Sequence, residues 1–261
     1  MLKIVPSELP SKTAAYLDEK TTELGALPYA EKVGVAKKRW ENKHTSHFNE
    51  VRKVLKKVYA ERCHYCEDSI ADEIEHIWPK SFYPELAFCW QNYLFSCGPC
   101  NGTYKNDRFA LLVAGKRVDL VRKRDEDILP PPPGISLFID SRQENPMDYL
   151  ELDLESGMFL ERDLDVDSLA AQRARYTVEE VLQLNRRDSL VRRRKREYKS
   201  LLGCLKDYIE LKKEQNVEQL ERLRAELADP LMPTVWQEMI RSRDAYPELR
   251  ECFEQAPELL E

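Results

Sequence analysis

The sequence predicts an α+β protein that is mainly α-helical, and three observations carry that reading. Near both ends of the chain apolar residues recur every three or four positions, the period of a helix with one face in a core. Between Tyr149 and Leu154 polar and apolar residues alternate, the period of a half-buried strand. Two Cys-x-x-Cys pairs, Cys63/Cys66 and Cys97/Cys100, bracket a short run, Ile74-Glu75-His76-Ile77, that reads as a strand inside a metal-braced unit.

Residues 1–60 form an N-terminal helical region. Ser11 opens a helix through Ala14, Tyr16, Leu17 and Leu24, and Pro28 opens a second with Val33, Val35 and Trp40. Phe48, Val51, Val54, Leu55, Val58 and Tyr59 mark a third, which delivers the chain to Cys63. Arg52, Lys53, Lys56, Lys57 and Arg62 lie on its other face, as a solvated surface or, taken together beside the cysteines, as contacts for phosphate. Residues 61–112 form the metal-braced core. Residues 113–135 hold a charged run and four prolines, Pro130 to Pro133, and read as a linker, because proline enters neither a helix interior nor a central strand.

Residues 136–261 form a C-terminal, mainly helical region. It begins with a strand at Ser136 to Asp140 and a hairpin that turns at Glu155-Ser156-Gly157 into Met158 to Arg162. A capping box, Thr177-x-x-Glu180, starts the next helix. A long helix from Asp188 follows, with Leu190, Val191, Tyr198, Leu201, Leu202, Leu205 and Ile209 inward. Its basic start, Arg192 to Arg196, is a solvated face or a phosphate-contacting stripe. Leu220, Leu223 and Leu227 mark another helix, and Thr234-x-x-Gln237 and Tyr246 to Phe253 mark the last two.

A chain of 261 residues can bury a substantial core, and 42% hydrophobic with 34% charged residues describes a globular protein rather than a disordered one. No apolar run reaches the roughly 18 residues that a membrane span needs. MLKIVPSELP lacks the basic-then-apolar layout of a signal peptide, so the expectation is a cytoplasmic protein with no membrane role. In that reducing compartment the seven cysteines are metal ligands or buried thiols, and Cys89, Cys204 and Cys252, outside the pairs, are packing residues. A net charge of −6 argues against a self-sufficient nucleic-acid binder: either the 41 basic side chains cluster, or a partner supplies part of the grip.

Two knuckles with four thiolates suit tetrahedral Zn2+, and four sulfur ligands leave no open position, so the zinc is structural. Cys97-Gly98-Pro99-Cys100 is also the active sequence of thioredoxin-like reductases. The matching upstream pair and the lack of a βαβ order around it favour the metal. A lone histidine is more often structural than catalytic. His76 stands beside Glu75, however, and a carboxylate next to an imidazole can hold a divalent cation while the ring activates water, as phosphodiester hydrolysis requires. His64, inside the first knuckle, takes no role; His44 and His47 read as surface histidines; Lys80 is an exposed loop lysine or a phosphate contact.

Glu75-His76-Ile77, Asn92 two residues after Trp90, and Cys100-Asn101-x-x-x-Lys105 resemble the ββα-metal (HNH) endonucleases braced by four cysteines. The resemblance implies His76 as general base, with Asn92 fixing its imidazole through a hydrogen bond. It implies Glu75 and Asn101 as ligands of a catalytic Mg2+ or Mn2+, and Lys105, one helical turn after Asn101, as a contact for phosphate or the leaving group. Glutamate stands where aspartate is usual and asparagine where many members have histidine; both are oxygen ligands for a hard cation. Cys63-His64-Tyr65-Cys66-Glu67 and the run from Glu75 to Asn101 look, more narrowly, like the HNH proteins found beside retrons and in Septu-type antiphage systems, the PtuB group. The likeness is strong over Glu61 to Phe109 and diffuse elsewhere. It implies a DNA-cutting subunit that works with an ABC-type ATPase (PtuA-like), in a complex with room for a homo-oligomer of the chain. The alternative class is a non-catalytic zinc module that docks an ATPase or binds nucleic acid, which needs the cysteines and none of Glu75, His76, Asn92 and Asn101.

Overall fold

Three helices lead the chain to the cysteines: α1 (Ser11–Gly25), α2 (Tyr29–Glu41) and α3 (Ser46–Val58). The computed structural model describes residues 1–4, 7–43, 45–123, 127–163 and 165–260, so His44 lies outside the described residues. Pro10 and Pro28, extended and with fixed φ, stand just ahead of α1 and α2. The stripe expected on α3 is the buried one, with Phe48, Val51 and Leu55 wholly inside. Its polar face is mostly a solvated surface: Lys53 pairs with Glu50 and Lys56 with Glu61, both exposed, while Arg62 turns to the carbonyl oxygens of Pro230 and Leu231.

β1 (Glu73–His76) and β2 (Tyr93–Ser96) pair antiparallel, Glu73 opposite Ser96 and His76 opposite Tyr93. A helical segment, Pro99–Lys105, follows at once and is of the wider π type. Parts of the stretch expected as a linker, 113–135, lie in a sheet. β3 (Ala110–Val113) pairs with β4 (Lys116–Asp119) on one side and β5 (Ile135–Ser136) on the other. Ala114 and Gly115, with φ of 47° and 77°, make the left-handed two-residue turn that suits a tight hairpin. The proline run brings the chain back onto β3, where Gly134 is needed: a Cβ there would stand 2.9 Å from the Leu112 carbonyl oxygen.

Of the strand expected at Ser136 to Asp140 only Ser136 pairs in the sheet, together with Ile135 before it; Leu137, Phe138 and Ile139 pass into the core. The hairpin forms where alternation predicts it, as β6 (Leu150–Asp153) and β7 (Met158–Glu161). The next helix starts eight residues earlier than Thr177. α4 (Leu169–Arg175) is capped by the Ser168 side chain and runs on through Tyr176–Val181, which leaves Thr177 buried, accepting a hydrogen bond from the Ile139 amide at 3.0 Å. α5 (Asp188–Lys213), α6 (Val217–Ala228), α7 (Pro233–Arg241) and α8 (Pro247–Gln255) complete the chain. The basic run at the start of α5 is no single stripe. Arg194 is buried, donating to the Gly157 and Leu184 carbonyls, and Arg193 pairs with Asp68 at 2.6 Å. Among the described residues no helix is long and apolar enough to cross a membrane.

Candidate metal centre and the histidine beside it

The two knuckles are brought together by the β1–β2 hairpin. Cys63 and Cys66 sit in a turn closed by the Glu67 amide on the Cys63 carbonyl, and the His64 amide bonds Phe95 of β2, so the first knuckle is tied to the strand that leads to the second. The four Sγ atoms lie within 4.8 Å of one another, and all four side chains are buried. A tetrahedral zinc site spaces its sulfurs by about 3.8 Å, and Cys66 Sγ and Cys97 Sγ are 3.9 Å apart. Four thiols this close cannot all ionise unless a cation shares their charge, so the donor set fits zinc. Arg187 adds what the sequence did not signal. Its guanidinium donates to Cys100 Sγ at 3.2 Å and stacks over Tyr104, tying the start of α5 to the metal centre.

His76, at the end of β1, is 5% exposed. Trp40 of α2 meets it edge-on with ring centroids 4.2 Å apart, and Tyr93 does so at 5.3 Å. Its Nε2 lies 3.0 Å from the Ala87 carbonyl oxygen, which also accepts the Tyr93 hydroxyl at 2.7 Å. A carbonyl only accepts, so Nε2 carries the proton. Burial, with Lys80 adding to it, holds the imidazole well below the ordinary histidine range. The ring is therefore neutral at pH 7, with a lone pair on Nδ1.

Asn92 acts on this ring at one remove. Its carboxamide accepts from the Trp78 amide at 2.8 Å and donates to the Trp78 and Leu86 carbonyls at 3.0 and 3.1 Å. The expected bond to the imidazole is made by Ala87 instead. Asn92 pins both ends of the loop that presents Ala87.

Glu75 and Asn101 each have another partner. Adjacent strand residues face opposite sides, and Glu75 points inward, 2% exposed, with its Oε1 2.5 Å from the Lys105 ammonium. Lys105 is wholly buried; it also donates to the His76 carbonyl at 2.6 Å, and so braces the end of β1 instead of facing phosphate. Burial raises the Glu75 carboxyl above its usual range, with Lys105 opposing the shift. Asn101 Nδ2 donates to Glu73 Oε2 at 2.6 Å, a residue that sequence reasoning missed. A hard cation is matched only in part. Glu73 and Asn101 are half-buried, and Glu73 Oε1 and Asn101 Oδ1 accept no hydrogen bond among the described residues, whereas Glu75 Oε1 is taken by Lys105.

The buried pair makes a stability prediction. Lys105→Met leaves a carboxylate without its counter-charge and should cost about 3–5 kcal/mol, and adding Glu75→Leu should restore much of it. Urea unfolding of the three proteins reads this directly; a single variant as stable as wild type would show that the pair does not hold β1.

No family model matches the chain, and no solved structure matches it. Two curated proteins, each named Septu protein PtuB, are similar to it. One, from Bacillus mycoides (strain KBAB4), is 36% identical over 78 residues, covering 23% of this chain and 26% of that protein. The other, from Bacillus thuringiensis, is 37% identical over 57 residues, covering 20% of this chain and 22% of that protein. The chain thus spans about a quarter of the length of the curated relatives it matches.

Proposed function

We propose that the chain is a metal-dependent HNH endonuclease that hydrolyses DNA phosphodiester bonds as part of a Septu-type antiphage complex. The observation that supports this most is the state of His76: a neutral ring whose Nε2 proton is committed to Ala87, beside a zinc-type cysteine cluster. In this reading Nδ1 takes a proton from the attacking water. Ala87, reached by Tyr93 and by the loop that Asn92 pins, keeps the ring in that tautomer. Asn101 and Glu75, with Glu73 as a further oxygen donor, would hold Mg2+ or Mn2+, which supplies charge stabilisation for the phosphorane and the leaving 3′ oxygen. Lys105 keeps Glu75 and the end of β1 in place. The products are a 5′ phosphate and a 3′ hydroxyl.

Similarity to Septu proteins supports an ABC-type, PtuA-like ATPase as the partner that licenses cleavage, and a net charge of −6 suits a subunit that borrows part of its DNA grip. Incubation of supercoiled plasmid with Mg2+ or Mn2+, with and without the ATPase, is expected to yield nicked or linear DNA. The cover that Trp40 lays over His76 favours, as the second reading, a zinc module that only docks the ATPase. Tight ATPase binding with an intact plasmid under every condition would select that one.

A further inference from the structure

Trp40 does more than cover His76. The Lys43 ammonium lies 4.9 Å from the centroid of its ring and the Lys80 ammonium 5.8 Å, so two cations share one indole that rests against the histidine. Each is set there by a turn: the Lys43 amide bonds the Trp40 carbonyl just past α2, and the Phe82 amide bonds Pro79 to shape the loop that carries Lys80. The positive charges of Arg52 and Lys80 bear on Lys43, and Glu73 is the acid that partly offsets them. Among the described residues no carboxylate is within ion-pair distance of Lys43, Arg52 or Lys80, in a chain whose other lysines often find one. Burial and the two neighbouring cations hold the Lys43 ammonium below the ordinary lysine range. Like charges gathered on one partly covered surface are relieved by an anion.

We propose that Lys43 and Lys80 form a clamp for a nucleic-acid backbone phosphate at the Trp40 face beside His76, so that the end of α2 supplies one wall of the substrate groove. The identity of the anion rests on the nuclease reading; the cation cluster does not. Its chemistry is that of phosphate contacts, which position a strand without reading its bases. It also answers how an acidic chain holds DNA, by collecting cations from the turn after α2 and the loop after β1 at one place.

The test uses the full chain and a fluorescein-labelled DNA duplex, titrated by anisotropy over a KCl series without Mg2+ or Mn2+. Lys43→Gln with Lys80→Gln should flatten the slope of log affinity against log salt by about 0.9 for each phosphate no longer neutralised. Lys43→Arg with Lys80→Arg should keep the wild-type slope. Zinc content and thermal midpoint confirm that both variants fold. Wild-type cleavage with an unchanged slope in the glutamine pair overturns the clamp and leaves the nuclease reading intact. A slope equally flattened in the arginine pair assigns the effect to packing on Trp40 and also overturns it. A flattened slope in the glutamine pair alone, with no cleavage by any protein, keeps the clamp and removes the nuclease reading. A wild type that binds no duplex overturns both.

Discussion

His76→Ala should abolish plasmid cleavage while the protein stays folded and keeps its zinc. General-base catalysis is worth roughly 10²–10⁴ in rate, and among the described residues no other histidine stands at this place: His64 is buried against Tyr59 and Tyr65 in the first knuckle, and His47 is stacked on Tyr16. The defect is one of chemistry rather than of architecture, because the side chains that hold the hairpin are elsewhere. Asn92 pins the loop, Lys105 pairs with Glu75, and the four cysteines close the knuckles. Removing the ring leaves a gap beneath Trp40, so a moderate fall in thermal midpoint is expected as well. His76→Asn, whose amide can still reach toward Ala87, gives a better-packed control that equally lacks a base. Equal cleavage by wild type and both variants would remove His76 from the reaction, and DNA binding that survives in each variant would place the defect after substrate capture.

The metal centre is legible in the sequence because its information is local. Two Cys-x-x-Cys spacings give two knuckles, and the hairpin that unites them needs only the short apolar runs at Ile74 to Ile77 and Tyr93 to Ser96. The helices and the β6–β7 hairpin are legible for the same reason, since each declares its period. What a period does not encode is finer geometry. Lys105 shares a face with Asn101 only if the segment between them is an α-helix. It is π-type, with the Asn106 amide bonded to the Asn101 carbonyl, and the wider turn swings Lys105 inward to Glu75. Glu75 and His76 face opposite sides from adjacent strand positions, and both are buried, the carboxylate against Lys105 and the ring against Trp40. The proline run suggests a linker, yet Ala114-Gly115, well ahead of it in the chain, is a turn signal that sets the β3–β4 hairpin. Trp40 declares only its place on the apolar face of α2, and Lys43 and Ala87 carry no signal at all. Their roles exist only once α2 and the loop ahead of β2 meet around His76, long-range contacts that no spacing announces.

Removal of the metal should have the opposite signature to removal of His76: the fold goes first and activity with it. A structural zinc contributes roughly 10–16 kcal/mol of apparent free energy at pH 7, against a net stability of about 5–15 kcal/mol for a whole domain. Its removal therefore exceeds what the rest of the core can hold in reserve. The damage should also spread, since the centre is tied to both halves of the chain. Cys63 and Cys66 follow α3, Cys97 and Cys100 open the Pro99–Lys105 segment, and α5 is anchored there twice, by Arg187 on Cys100 and by Arg193 on Asp68. Cys97→Ser is expected to be insoluble or to unfold far below the wild-type midpoint, with zinc well under one equivalent by atomic emission. Chelation of wild-type protein should lower helical ellipticity in parallel with zinc release, because α5 is freed from its anchor as the knuckles open. A Cys97→Ser protein that is soluble, zinc-free and unchanged in circular dichroism would show that the four thiols only pack. Addition of Mg2+ should restore neither the fold nor the activity of zinc-free protein, since a hard cation does not replace a soft one among four sulfurs. The two proposed metals are thereby separable in one experiment: zinc should govern whether the hairpin exists, and Mg2+ or Mn2+ whether it cuts.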